Sequence, residues 1–132
     1  MIAKHANGEW TGIEPESYKD EPGTWVGVSR RTLLSSPGMG FEVRYFELAP
    51  GGYTSFEKHT HEHAVMVREG QGRIRLGDAW TELAANDLVH VPSGTPHQFQ
   101  NTGDTPFGIV CIVDRERDKP VLLKSELEAH AH

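Results

Sequence analysis

Gly51-Gly52-Tyr53-Thr54-Ser55-Phe56-Glu57-Lys58-His59-Thr60-His61-Glu62-His63-Ala64-Val65-Met66-Val67-Arg68-Glu69-Gly70 is the stretch on which the reading of this chain turns. With eight histidines in 132 residues, a given position is His with a frequency of about 0.06, so three at alternate positions need a cause. Alternate residues of a strand share a face, so Glu57, His59, His61 and His63 would point one way if the strand ran straight. At about 3.3 Å per residue its ends would then lie about 20 Å apart, whereas metal ligands must each come within about 2 Å of one ion. The chain must therefore turn. A fresh apolar segment, Ala64-Val65-Met66-Val67, starts after His63, so a break over 60–62 is expected, with His63 returning across a hairpin toward Glu57 and His59.

A fourth donor has to come from a separate segment. His97 stands after the rigid turn Pro92-Ser93-Gly94-Thr95-Pro96 and is placed to supply it. Three imidazoles and one carboxylate would leave one or two positions open on an octahedral ion. Such a set suits one divalent transition metal: Fe, Mn, Ni, Co, Cu or Zn.

Outward from this stretch, turn chemistry cuts the chain into short pieces. Strands are expected over 28–34, 41–48, 53–59, 63–68, 73–76, 79–83, 87–91, 97–101 and 107–113. Between them lie Ser36-Pro37-Gly38, Pro50-Gly51-Gly52, Gly70-Gln71-Gly72, Gly77-Asp78 and Asn101-Thr102-Gly103-Asp104. Helical periodicity is almost absent, so the fold class is all-β, a sandwich or a barrel. Residues 1–24 read as an N-terminal arm, anchored by Trp10 or Trp25 or mobile, 25–115 as the barrel domain and 116–132 as a C-terminal tail. In that tail Ser125 and Glu128 have capping-box spacing on a segment too short for a stable helix, and His130 and His132 read as solvated.

Thirteen Lys and Arg against 19 Asp and Glu give a net charge of −6, which disfavours nucleic acid and anionic membrane surfaces as partners. One cysteine, Cys111, excludes an internal disulfide, and the start of the chain lacks the apolar run of a signal peptide; a soluble, cytoplasmic protein is expected. Cys111, within Ile109-Val110-Cys111-Ile112-Val113, reads as a small core residue, and His90, alternating with Val89 and Val91, as solvent-facing. Asn101 is expected to bond backbone, and Val65, Val67, Phe99 and Phe46 to line the cavity beside the metal.

The two spaced motifs resemble those of the cupins. The first of these runs Gly, five residues, His, one, His, three or four, Glu, six, Gly; the second runs Gly, five, Pro, one, Gly, two, His, three, Asn. Gly51, Glu57, His59, His63 and Gly70 fit the first spacing, with Glu57 where the family has its first His and His63 where it has Glu. Pro92, Gly94, His97 and Asn101 fit the second, with Asn86 in place of the leading glycine, a swap that tolerates a left-handed turn. The resemblance implies a double-stranded β-helix, or jelly-roll barrel, with a metal near its centre held by Glu57, His59, His63 and His97. A second register, pairing His59 with His61, leaves only Glu62 before His63, too little chain for a reversal. In the first register His61 is a proton relay, a substrate contact or a support for the ligands, and His61 and Glu62 are the candidate catalytic groups.

The resemblance also implies a small-molecule substrate or ligand and a homodimer, to which Met66 could contribute an apolar patch. It implies no single chemistry. One expectation is an oxidoreductase of the dioxygenase type; the others are a non-catalytic domain that binds a small ligand or the metal, and a Zn-dependent isomerase or cyclase.

Overall fold

A computed structural model describes residues 1–17 and 24–124, so Ser125, Glu128, His130 and His132 lie outside the described residues. Among these, every regular element is a strand: β1 (His5–Ala6), β2 (Glu9–Trp10), β3 (Glu16–Ser17), β4 (Val26–Leu34), β5 (Phe41–Tyr53), β6 (Glu57–Lys58), β7 (His63–Glu69), β8 (Gln71–Leu76), β9 (Ala79–Ala84), β10 (Leu88–Val91), β11 (His97–Asn101), β12 (Phe107–Asp114) and β13 (Val121–Leu122). The all-β expectation holds, and no described helix is long and apolar enough to cross a membrane.

All but β1 and β2 join one antiparallel sheet that curls into a barrel. One side carries β10, β7, β12, β5 and β4; the other carries β9, β8, β11, β6 and β13. Strand β5 belongs to both sides, pairing β12 and β4 along its length and β11 at its end, where Tyr53 faces Gln100. The sequence breaks this strand at residue 48, taking Pro50-Gly51-Gly52 as a turn. The structure carries it on to Tyr53: Gly51 takes φ +77°, and Gly52 packs so tightly that a Cβ there would sit 2.8 Å from the Ala49 and Val26 carbonyls. Glycine here lets a long strand bend into the second layer without ending.

Strand alternation builds the core. In β7, His63, Val65 and Val67 are buried while Ala64, Met66 and Arg68 face out, and the inward set packs with Phe46, Leu48, Ile74, Val91, Phe107 and Ile109. Asn86 holds φ +74°, the left-handed turn expected of it, and the Asn101 side chain bonds the carbonyls of Leu48 and Thr105 and the amide of Gly103. Ahead of the barrel, Asn7-Gly8 has positive φ at both residues, a type I′ turn that makes β1 and β2 a hairpin. Its Trp10 ring lies 5.4 Å from that of Tyr45, and Glu9 accepts a 2.7 Å bond from Arg31, so the hairpin covers the outer face of β5.

Gly70 ends the first motif at φ +80°, where a Cβ would stand 2.1 Å from the Pro106 carbonyl oxygen. Gly77, at φ +61°, has open space around it. Denaturant unfolding should show Gly70→Ala losing about 3 kcal/mol and Gly77→Ala only about 1 kcal/mol, because the second substitution adds backbone strain without a collision. Equal losses at the two sites would contradict this packing.

Candidate metal centre

Three pieces of backbone bring the site together. In the pairing of β6 with β11, Glu57 faces His97, which places both side chains on the inner face at one level. His63 opens β7 on the other side of the barrel, between Val91 and Val113. The loop joining them is held from below: Gly94, at φ +73° in the turn before His97, donates its N–H to the His59 carbonyl at 2.8 Å, so the two motifs are bonded to each other.

The expected break over 60–62 is present. The expected hairpin is not: β6 pairs β11 and β13, β7 pairs β10 and β12, and the loop crosses from one layer to the other. A crossing loop brings His59 and His63 together as well as a hairpin would, their rings 4.5 Å apart and nearly parallel.

His59, His63 and His97 form a buried group whose nitrogens all lie within 4.8 Å of one another. Nitrogens bound at about 2.1 Å to one ion are at most about 4.2 Å apart, so closure requires less than about 1 Å of movement. The hydrogen bonds set which nitrogens are offered. His97 Nδ1 lies 2.9 Å from the Thr95 carbonyl and His59 Nδ1 lies 2.7 Å from the His61 carbonyl. Carbonyl oxygens only accept, so both Nδ1 atoms carry the proton and both Nε2 atoms present lone pairs. His59 Nε2 is buried and has no partner, the state of a ligand atom facing a cation position. A ring of neutral imidazole nitrogens is what a divalent transition metal requires, so these residues fit one.

Burial keeps the rings neutral. It lowers the His63 pKa to about 2, with His59, His97 and His61 adding repulsion, and lowers His97 to about 4 despite the Thr95 carbonyl; His59 is lowered by the same cause.

His61 stacks on His59 with centroids 3.6 Å apart, and its Nε2 lies 3.1 Å from His63 Nε2. Its Nδ1 is 3.0 Å from Asp118, whose carboxylate also accepts the amides of Thr60 and His61 and is thereby held well below the usual carboxylate range. The segment carrying Asp118 is fastened across the site: β13 pairs β6, and Leu123 donates its N–H to the Phe56 carbonyl. On the far side His63 Nδ1 lies 3.1 Å from the Cys111 sulfur, and burial raises the Cys111 thiol to about 11, so it stays protonated.

Glu57 stands beside the three-histidine group rather than within it. Its Oε2 accepts a 2.8 Å bond from Ser55, and it lines both spaces around the histidines. One space is an inner chamber of about 50 Å³ walled by Trp25, Phe46, Phe99, Ile109 and Cys111. The other is an outer cleft of about 230 Å³ bounded by Arg30, Arg44, Arg117, Asp118 and His61. Of the four expected cavity residues, Phe46 and Phe99 reach the chamber, while Val65 and Val67 are buried in the core. Glu62 turns away, pairing at 2.6 Å with His90 where both side chains are more than half exposed; His90 faces solvent as expected.

Sequence reasoning did not identify Asp118, Arg44, Ser55 or Thr95. Arg44 carried a readable signal, since alternation in β5 sets it on the inner face with Phe46. Asp118 did not, because its partners are about 58 residues away in the chain.

A family model described as Cupin domain matches residues 44–113. A 1-methylthio-D-xylulose 5-phosphate methylsulfurylase from Rhodospirillum rubrum is 40% identical over 114 residues, 86% of this chain and 73% of that protein. An L-ectoine synthase from Bordetella parapertussis is 30% identical over 71% of this chain and 72% of its own length. The crystal structure of a cupin 2 conserved barrel domain protein from Rhodopseudomonas palustris superposes with TM-score 0.86 at 36% identity, over 98% of this chain and 91% of that one. The chain belongs to the cupin family.

Two predictions come from this geometry. His63 and His97 take up protons in the unfolded chain near pH 6.5 but resist them when folded, so their contribution to stability is full above about pH 6.5 and falls as pH drops toward 4. Thermal melts of chelator-treated protein should lose up to about 1.4 kcal/mol per pH unit for each of the two in that window; a flat profile from pH 7 to 4 would contradict their neutral burial. Asp118→Ala should accelerate hydrogen exchange at the Thr60 and His61 amides, and unchanged protection there would show that the carboxylate does not hold the loop.

Proposed function

We propose that this chain is a metal-dependent enzyme for a small oxygen-bearing substrate, with Glu57, His59, His63 and His97 as donors to one divalent transition metal. The observation that carries this reading is the buried, unpartnered His59 Nε2 beside the nitrogens of His63 and His97. An ion held there supplies Lewis acidity that polarises a carbonyl oxygen.

The chain's own residues do the rest. The Thr95 and His61 carbonyls stop the His97 and His59 rings from turning, which keeps their lone pairs aimed at one point. Ser55 restrains the Glu57 carboxylate, which lines the same two spaces as the histidines. His61 accepts a proton from the substrate at Nε2, and the Asp118 carboxylate at its Nδ1 stabilises the imidazolium that results. Trp25, Phe46, Phe99 and Ile109 keep the inner wall dry, which strengthens every polar contact made there. Glu62, paired with His90 on the surface, has no part in this scheme.

A cleft of about 230 Å³ is below the ~300–1,000 Å³ of sites for drug-sized ligands, which supports a compact substrate. The methylsulfurylase relative is named for a sulfur-bearing ketose phosphate. A ketose carries neighbouring carbonyl and hydroxyl oxygens, the groups on which a Lewis acid would act, and this supports Lewis-acid chemistry on such a compound ahead of the dioxygenase expected from sequence. The outward row of Met66, Leu88 and Ile112, each at least 40% exposed, supports the expected homodimer. A single buried cysteine agrees with a cytoplasmic setting.

Elemental analysis of protein purified without added metal should return one equivalent of Fe, Mn, Ni, Co, Cu or Zn per chain. Glu57→Ala should lower metal retention more than His61→Ala does. The loaded protein should turn over a 1-thioether ketose phosphate without consuming oxygen. Metal content near zero would end the proposal, oxygen uptake would select the dioxygenase, and a full metal complement without turnover of any ketose phosphate would select a binding domain.

A further inference from the structure

Arg44 places a cation on the inside of the barrel. In β5 it faces Cys111 across the β5–β12 pairing, and its side chain enters both the inner chamber and the outer cleft. Its guanidinium lies 5.0 Å from the centre of the Phe46 ring, and its Nε is buried without a hydrogen-bond partner. Among the described residues no carboxylate forms an ion pair with it. The other two arginines of the cleft are engaged: Arg117 with Glu42 at 2.6 Å and Arg30 with Glu16 at 3.1 Å. Glu42, two residues from Arg44 on the same face, feels its charge, but its hydrogen bonds go to Ser35 and Arg117.

A partly desolvated guanidinium without a counter-ion is costly, and a divalent ion among the neighbouring histidines would add like-charge repulsion. The two carboxylates that line the cleft with it are turned to other partners, Glu57 to Ser55 and Asp118 to the amides of Thr60 and His61. An oxyanion entering through the cleft removes both costs, because a guanidinium meets two oxygens of a carboxylate or a phosphate with its fork of N–H groups. We infer that Arg44 is the residue on which the anionic group of the substrate docks, a carboxylate or a phosphate held beside the histidine cluster. This deepens the function proposed above and rests on it for the ion, whereas the demand for an anion comes from Arg44 and its surroundings alone.

The test is equilibrium binding of inorganic phosphate and, separately, acetate, by calorimetry at constant ionic strength, with metal content measured on each sample. Wild-type protein should bind one of the two, and which one identifies the group. Arg44→Met should weaken that anion about tenfold or more while leaving metal content unchanged. Arg44→Lys, which keeps the charge and loses the fork, should fall between them and serves if the Met variant does not fold. Phosphate and acetate both failing to bind wild-type protein, or binding the Met variant as tightly as wild type, would overturn the inference. Loss of anion binding in the Met variant of a protein that carries no metal would uphold the docking role and remove the metal reading instead.

Discussion

Two carbonyl oxygens, of Thr95 and His61, each accept a hydrogen bond from the Nδ1–H of a histidine two residues away, and the remaining organisation of the site follows from that. Because a carbonyl cannot donate, the tautomers of His97 and His59 are set by the backbone, and each Nε2 is left as a bare lone pair inside the barrel. The turn of the second motif holds the loop of the first through the Gly94 amide, so the two locks are parts of one frame. His63 completes the group from the opposite layer, where the outcome is less constrained: its Nδ1 meets a thiol that can donate or accept, and its Nε2 meets His61.

The barrel makes this arrangement possible by bending. Strand β5 runs through both layers because Gly51 and Gly52 let it change direction across a register shift in its pairing with β4, and that bend sets β11, with His97, against β6, with Glu57. The loop over 60–62 then crosses between layers and delivers His63 to β7. Outside the histidines the site is graded, from apolar chamber to arginine-lined cleft, with Arg44 at the boundary. A compact polar molecule entering from the cleft would present its charged end to Arg44 and its oxygens to the histidines.

Much of the fold could be read from sequence because strand alternation and turn chemistry are local. The inward set of β7, the Asn86 turn and the backbone bonds of Asn101 all follow from neighbours close in the chain. Where the reading failed, the deciding contact was distant. Pro50-Gly51-Gly52 has the composition of a turn, and only the close approach of Val26 to Gly52 shows that it is a bent strand. His59, His63 and His97 were legible as a cluster because alternate histidines ahead of a fresh apolar strand, and a histidine after a rigid Pro-Gly turn, stand out against the composition. Glu57 reaches the site but stands outside the tight group, Glu62 is drawn to the surface by His90, and Asp118 joins through a segment read as a tail. The Asn7-Gly8 hairpin was within reach of sequence reasoning, since that dipeptide is a strong turn signal, but the polar residues around it masked the signal.

The claim beneath all of this is that imidazoles from three places in the chain bind one cation through Nε2. X-ray absorption at the edge of whichever transition metal the protein carries would count them directly. The account predicts at least three imidazole nitrogens at about 2.0–2.2 Å with the outer-ring scattering of histidine. A shell made of oxygens with one imidazole or none would contradict it.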